Sequence, residues 1–182
     1  MKHNITMALT LNILVLVCNF NLNNTISVIP QSLSPQRVTE CIVGNKRISI
    51  EYGSPSIRGR KIMGDLVPYN RVWIMGADRA TVLKTESNLT IGDVFVPKGQ
   101  YTLFALPTEK TWKLIINKQA TRPCFLYSTD DEKQELGRVD MNLVHLESPV
   151  EQHTISLIRN GTGGTITLEW ETIRASINFI VQ

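Results

Sequence analysis

Residues 152–171 decide the fold: Gln152-His153-Thr154-Ile155-Ser156-Leu157-Ile158-Arg159, then Asn160-Gly161-Thr162-Gly163-Gly164, then Thr165-Ile166-Thr167-Leu168-Glu169-Trp170-Glu171. Two runs rich in β-branched residues flank a cluster that turns easily, which is the signature of a β-hairpin. In the second run Ile166, Leu168 and Trp170 alternate with Thr165, Thr167, Glu169 and Glu171, so a period of two turns one face inward and the other to water. Further along, the apolar set becomes Ile173, Ala175, Ile177 and Phe179. The phase has slipped by one residue, which predicts a tight turn or bulge near Glu171 and Thr172.

The same alternation recurs upstream. Ile48, Ile50 and Tyr52 alternate with Arg47, Ser49 and Glu51, and Gly44-Asn45 turns this strand back on residues 38–43. Further strands are predicted at 80–85, 89–91, 94–96, 101–106, 112–117, 139–146 and 152–159. Gly92-Asp93 and Pro97-Lys98-Gly99 break the runs, and Pro107 closes one of them because proline cannot donate to the ladder. Ile115 sits among the otherwise polar positions of its strand, which predicts burial on both faces there. The charged stretch Asp130-Asp131-Glu132-Lys133 reads as an exposed loop or short helical turn. Helical periodicity is nearly absent. About ten strands with short connections predict an all-β domain, a single antiparallel β-sandwich or, alternatively, a flattened β-barrel.

A chain of 182 residues accommodates one such domain. We place it at 37–182, after a Ser/Pro/Gln-rich linker at 28–36. Residues 1–27 have the layout of a secretory signal peptide: Lys2, an apolar run over 7–18, and no Asp or Glu before Glu40. The run falls short of the ~20 apolar residues that a bilayer demands, so no transmembrane span is expected in the mature chain. The expected location is therefore periplasmic or extracellular. Val15-Leu16-Val17-Cys18 offers a lipid anchor at Cys18, although Val17 stands where a small residue is usual. Export leaves Cys41 and Cys124, which fit either a disulfide or two buried thiols; there is no CxxC pair. The net charge is +3, falling to +2 without Lys2, too small for a nucleic-acid footprint.

The densest concentration of turn, aromatic and charged residues lies between Tyr52 and Pro107. It includes Ser54-Pro55-Ser56-Ile57-Arg58-Gly59-Arg60-Lys61, Leu66-Val67-Pro68-Tyr69-Asn70-Arg71-Val72-Trp73-Ile74-Met75-Gly76-Ala77-Asp78-Arg79-Ala80-Thr81, and Val96-Pro97-Lys98-Gly99-Gln100-Tyr101-Thr102. These segments resemble the DUF2911 family of exported bacterial proteins, which carries no assigned activity, and the resemblance runs over about 46–179. The resemblance also implies an Arg after the Val-Trp pair and a Glu before Ala-Thr. Here those places hold Ile74 and Arg79, which puts in doubt any activity that relies on that Glu.

Within this block Arg58 and Arg60 stand on a turn set by Pro55 and Gly59, where cations suit carboxylates, sulfates or phosphates. Their competing role is to tie loops together through backbone carbonyls and through Asp65 or Asp78. Tyr69 and Trp73 are of the type that lines sugar or peptide sites, but aromatics beside Leu, Val and Ile also pack cores. The candidate binding residues are therefore Arg58, Arg60, Asp65, Tyr69, Trp73, Asp78 and Arg79. Beyond His3 the histidines are His145 and His153, at no metal-ligand spacing, and no GxSxG nucleophile motif occurs. Glu169 and Glu171 share one strand face, and solvated residues account for them better than an acid–base pair does.

The expected function is a ligand-binding or envelope-associated module that uses the loops around 54–60 and 69–81, with a small molecule, glycan or envelope protein as partner. No cofactor, metal or nucleic acid is implied. Two other classes stay open: a hydrolase acting through Asp65, Asp78 and the arginines on an anionic or carbohydrate substrate, and a purely structural interaction protein. Convergence of these groups on one open cleft would separate a ligand site from a structural network.

Overall fold

β-Branched residues at alternate positions extend the backbone and bury one face. In the computed structural model this produces, among the described residues, nine strands and one helical turn: β1 (Gln36–Val43), β2 (Lys46–Gly53), β3 (Thr81–Thr85), β4 (Leu89–Ile91), β5 (Val94–Val96), β6 (Gly99–Pro107), β7 (Trp112–Asn117), α1 (Thr129–Glu132), β8 (Glu135–Asn160) and β9 (Gly163–Val181). The structure describes residues 34–119 and 127–182. The expectations for the signal peptide, for Cys18 and for Cys124 fall outside the described residues. So does most of the linker.

The fold is all-β and antiparallel, one hydrogen-bonded sheet in the order β1-β2-β3-β6-β7-β8-β9-β4-β5. Gly44, at φ 64, closes the β1–β2 hairpin between Val43 and Lys46. Between β3 and β6 the chain leaves to form β4 and β5 at the far edge, where β4 pairs with the end of β9 through Leu89–Val181 and Ile91–Phe179. The outer half of the β8–β9 hairpin returns to the first strands. The Leu157 N–H donates to Thr39 Oγ1 at 3.2 Å, and the Tyr52 hydroxyl donates to the Ile155 carbonyl at 3.3 Å.

Nine strands rather than ten arise because 139–146 and 152–159 belong to one strand of 26 residues. The β8–β9 register is irregular between His145 and Val150 and again between Val150 and Thr154. The expected phase slip in β9 lies at Glu171, whose φ is 52. Ile166, Leu168 and Trp170 are buried before it and Ile173, Ala175, Ile177 and Phe179 after it, so both apolar sets reach the core without ending the strand. Ile115 is fully buried, as is the rest of β7 apart from Lys113. On the same sheet, buried Phe104 meets Tyr127 edge to face at 5.1 Å.

The charged stretch forms the short helical turn α1, with Asp130, Glu132 and Lys133 exposed, and departs from the expected exposure at one residue. Within the charged stretch, Asp131 is only 1% exposed. Its Oδ2 accepts from the backbone N–H and the hydroxyl of Ser128 at 2.6 and 2.7 Å, which makes it half of a capping box on α1. The stretch is thus a capped turn facing β7, where Asn117 Nδ2 donates to the Asp131 carbonyl at 2.7 Å. Cys41 on β1 is half-buried; burial raises its pKa and Arg159 opposes that rise.

Candidate functional site

Between β2 and β3 lie residues 54–80, which contribute no strand yet are fastened at many points. β2 ends at Gly53, where a Cβ would run into the carbonyl oxygen of Ala77, so glycine lets the two ends of the segment cross at backbone contact. From that crossing, residues 54–58 run along β8. The Ser54 hydroxyl donates to the His153 carbonyl at 2.6 Å, the His153 N–H donates to the Pro55 carbonyl at 2.8 Å, and the Ile57 N–H donates to the Glu151 carbonyl at 2.9 Å. Carboxylates take the next amides: Glu151 Oε1 accepts from the Arg58 N–H at 3.0 Å, and Glu171 accepts from the Ile62 and Met63 N–H groups at 3.1 and 3.2 Å. Glu171, on the sheet face where the sequence predicted solvation, is instead an anchor for this segment. Its neighbour Glu169 is ion-paired to Arg174 at 2.5 Å.

Farther along, Trp73 forms a two-way backbone bridge with Ala105 on β6, both bonds at 2.8 Å. Its indole N–H donates to the Gly76 carbonyl at 3.2 Å. The half-buried ring stacks on Trp170 at 5.9 Å and 21°, and it meets Trp112 edge to face at 6.2 Å. All three tryptophans of the chain therefore form one cluster.

Against this cluster lies His153, which is wholly buried. Tyr52, Trp73 and Trp170 surround its ring at 5.6, 5.3 and 5.5 Å, each nearly perpendicular to it. Neither ring nitrogen has a conventional hydrogen-bond partner among the described residues. All three contacts are edge to face, so the imidazole packs as an aromatic ring among aromatic rings. Burial pushes the pKa of His153 down to about 3, so the imidazole is neutral at physiological pH.

Two members of the tryptophan cluster, Trp73 and Trp170, line a cleft of about 560 Å³, most of whose wall comes from residues between Pro55 and Asp78, with Ser34 completing it. Four of the seven predicted binding residues line it: Arg58, Arg60, Trp73 and Asp78. Arg58 and Asp78 are each engaged in interactions within the protein. Arg60 donates from Nε to the Ile57 carbonyl at 3.0 Å and from Nη2 to the Ser56 carbonyl at 2.6 Å, so it also staples its own turn.

The other three lie elsewhere. Asp65 is an exposed residue outside the lining, as is Arg79. Tyr69 packs its ring against Gly64, whose φ is 83, and borders a separate shallow hollow with Asn70 and residues 108–111. Burial raises the pKa of its phenol, and the carboxylates of Glu109 and Glu171 add to the rise.

Sequence reasoning missed Arg71 and Trp170, which also line the cleft. Trp170 reads as core because it is core, only 1% exposed, and its alternation carries no sign that it backs a cavity. Arg71 sits inside the quoted block, but no local pattern separates it from the other arginines. Ile74, one of the two departures from the family pattern, also lines the cleft.

Backbone strain concentrates around the same place. Arg58, Met75 and Asp78 have φ of 50, 53 and 66, and Asn70 and Glu171, at 61 and 52, flank them. These five are all the non-glycine residues with positive φ among those described. Such conformations cost of order 1 kcal/mol or more each and gather where surrounding structure enforces a particular surface.

What the fold and site define is an all-β domain with a cleft that is apolar and aromatic at its floor and cationic at its rim. Its residues 34–179 match the family model described as Protein of unknown function (DUF2911), and the chain belongs to that family. No curated protein and no solved structure matches it. Among the described residues no cluster of three or more His, Cys, Asp or Glu could hold a metal ion, and no helix is long and apolar enough to cross a membrane.

Proposed function

We propose that the protein is a small-molecule binding module whose receptor site is the cleft beneath residues 54–80. The observation that carries this reading is convergence: two indoles, three arginines and the strained turns at 58 and 75–78 meet at one cavity of ligand size. The enzyme reading has less behind it. Among the described residues the one buried imidazole, His153, is neutral and lies against aromatic rings, while the Ser54 hydroxyl is committed to a backbone carbonyl. A general base needs a proton within hydrogen-bond reach, which that enclosure does not offer. We further propose that the module works outside the cytoplasm, on the strength of the signal-like residues 1–27.

A thermal-shift screen against sugars, peptides and anions tests the binding reading, since a ligand of the folded state alone raises its melting temperature. Ile74→Trp places a bulky ring at the cleft wall and is expected to abolish the shift given by any hit. A hit that stabilises the Ile74→Trp protein as much as the parent binds elsewhere and defeats the proposal. Fractionation of cells that express the full chain tests the location, with recovery of the protein in the cytoplasm counting against export.

A further inference from the structure

We infer that the ligand is a small organic acid with an apolar body, a carboxylate on a ring system, and that Arg71 is the residue that anchors the carboxylate. This rests on the cleft being the binding site and goes on to name the ligand class.

The floor and walls are apolar: Trp73 and Trp170 below, with Leu66, Val67, Val72 and Ile74 around them. Acceptors in the lining side chains are few, a single carboxylate at Asp78 and the hydroxyls of Ser34 and Ser56. A sugar presents a hydroxyl at most of its carbons, each of which loses water on entry and needs a replacement partner. The arginines can donate to such hydroxyls, but the lining side chains offer few acceptors for the hydroxyl protons. A flat apolar body loses nothing comparable and gains contact with the half-buried indole of Trp73.

Charge supplies the second half of the argument. Three arginines face one aspartate in the lining, so the cleft is short of negative charge. Arg58 is engaged within the protein, and Arg60 spends two donors on its own turn. Arg71 is different: it is exposed at the rim, and its guanidinium has no hydrogen bond or ion pair among the described residues. A guanidinium presents paired donors that match the two oxygens of a carboxylate, which fixes orientation as well as charge. With the carboxylate at Arg71, the ring reaches inward over Trp73, two positions along the same segment.

The test follows tryptophan emission of the purified protein, because all three tryptophans belong to the cluster at the cleft floor. Naphthoate, its neutral counterpart naphthalenemethanol, naphthalenesulfonate and glucuronate are titrated separately. Naphthoate is expected to change the emission saturably and to bind at least tenfold tighter than naphthalenemethanol or glucuronate. Arg71→Gln, an exposed substitution that should leave folding intact, is expected to remove that tenfold preference, and Ile74→Trp to remove binding altogether. Naphthalenesulfonate binding as well as naphthoate overturns the choice of carboxylate.

Equal binding of naphthoate and naphthalenemethanol, or preference for glucuronate, overturns the ligand class while Ile74→Trp still reports on the cleft. Naphthoate binding that survives both substitutions defeats the cleft reading itself. No response to any of the four compounds also overturns the inferred ligand class.

Discussion

His153 is the residue whose surroundings are most out of keeping with its chemistry. A neutral imidazole carries one donor and one acceptor, yet its ring lies among Tyr52, Trp73 and Trp170 with both nitrogens unpaired in the conventional sense among the described residues. The consequence is a pH dependence of stability. The folded pKa is about 3 against about 6.5 in the unfolded chain, so between these values only the unfolded chain takes up the proton. The contribution is fully present above pH 6.5 and is lost as pH falls toward 3, at about 1.4 kcal/mol for each pH unit. His153→Phe keeps the backbone bonds to Ser54 and Pro55 and removes the titration. Urea unfolding from pH 7 to pH 4 should show the variant gaining on the parent by about 3 kcal/mol. A difference between the two proteins that stays constant with pH would mean that the imidazole is reached by water or charge in the folded state.

At the scale of elements, residues 54–80 behave as a strandless plate whose amides are collected by carboxylates on neighbouring strands. Glu171 carries two of them, those of Ile62 and Met63, from a position held at φ 52. Glu171→Ala orphans both amides and keeps the backbone strain, so a loss of about 2–3 kcal/mol is expected, with the Ile62 and Met63 amides exchanging faster than those of β6 and β7. Glu171→Gly loses the same carboxylate but accepts positive φ, so it should be milder by about 0.5–1 kcal/mol despite its freer unfolded chain. Urea midpoints with amide exchange check both, and glycine proving worse than alanine would show that strain at 171 is not part of the balance.

The phase slip that locates this bulge was legible, because a switch from Trp170 to Ile173 is a local pattern of period two. The β1–β2 hairpin and double-sided β7 were legible for the same reason. The anchoring was not: Ser54 meets His153 and Ile62 meets Glu171 across roughly a hundred residues, and no propensity encodes such a partner. The cleft inherits that limit. Arg58, Arg60, Trp73 and Asp78 could be picked out by residue type, whereas Trp170 behind the cleft and the seclusion of Tyr69 against Gly64 depend on where the segment lands.

At the scale of the whole sheet, its far edge is held by the last strand. Among the described residues the hydrogen-bonded link from β4 and β5 to the rest of the sheet is β9, whose Phe179–Val181 end pairs with β4, while β5 also packs on β8 where Val94 lies against Gly137. Continuity through Ser148-Pro149 in β8 and the journey of β4 to the far edge are properties of the assembled sheet, which is why separate short strands were expected from local breaks. Phe179 stands at this junction, 2% exposed, with its carbonyl where a Cβ on Gly163 would fall and its ring against Gly164. The chain end adds a clasp: the Val181 N–H donates to the Thr162 carbonyl at 3.0 Å, the Gln182 N–H to the Asn88 carbonyl at 3.0 Å, and the Ser87 hydroxyl to the Gln182 carbonyl at 2.7 Å. Phe179→Ala removes a buried ring that packs on the hairpin turn and should cost about 3–5 kcal/mol. Removing only Val181 and Gln182 breaks the clasp and leaves that ring in place, so its cost should be smaller, about 1–3 kcal/mol. If β4–β5 is an integral part of one cooperative unit, tryptophan emission and far-ultraviolet circular dichroism will report the same urea midpoint for the parent and both variants. Should the truncated chain instead unfold in two steps, with tryptophan emission unchanged in the first, the β4–β5 edge is a separable piece and the cleft-bearing strands stand without it.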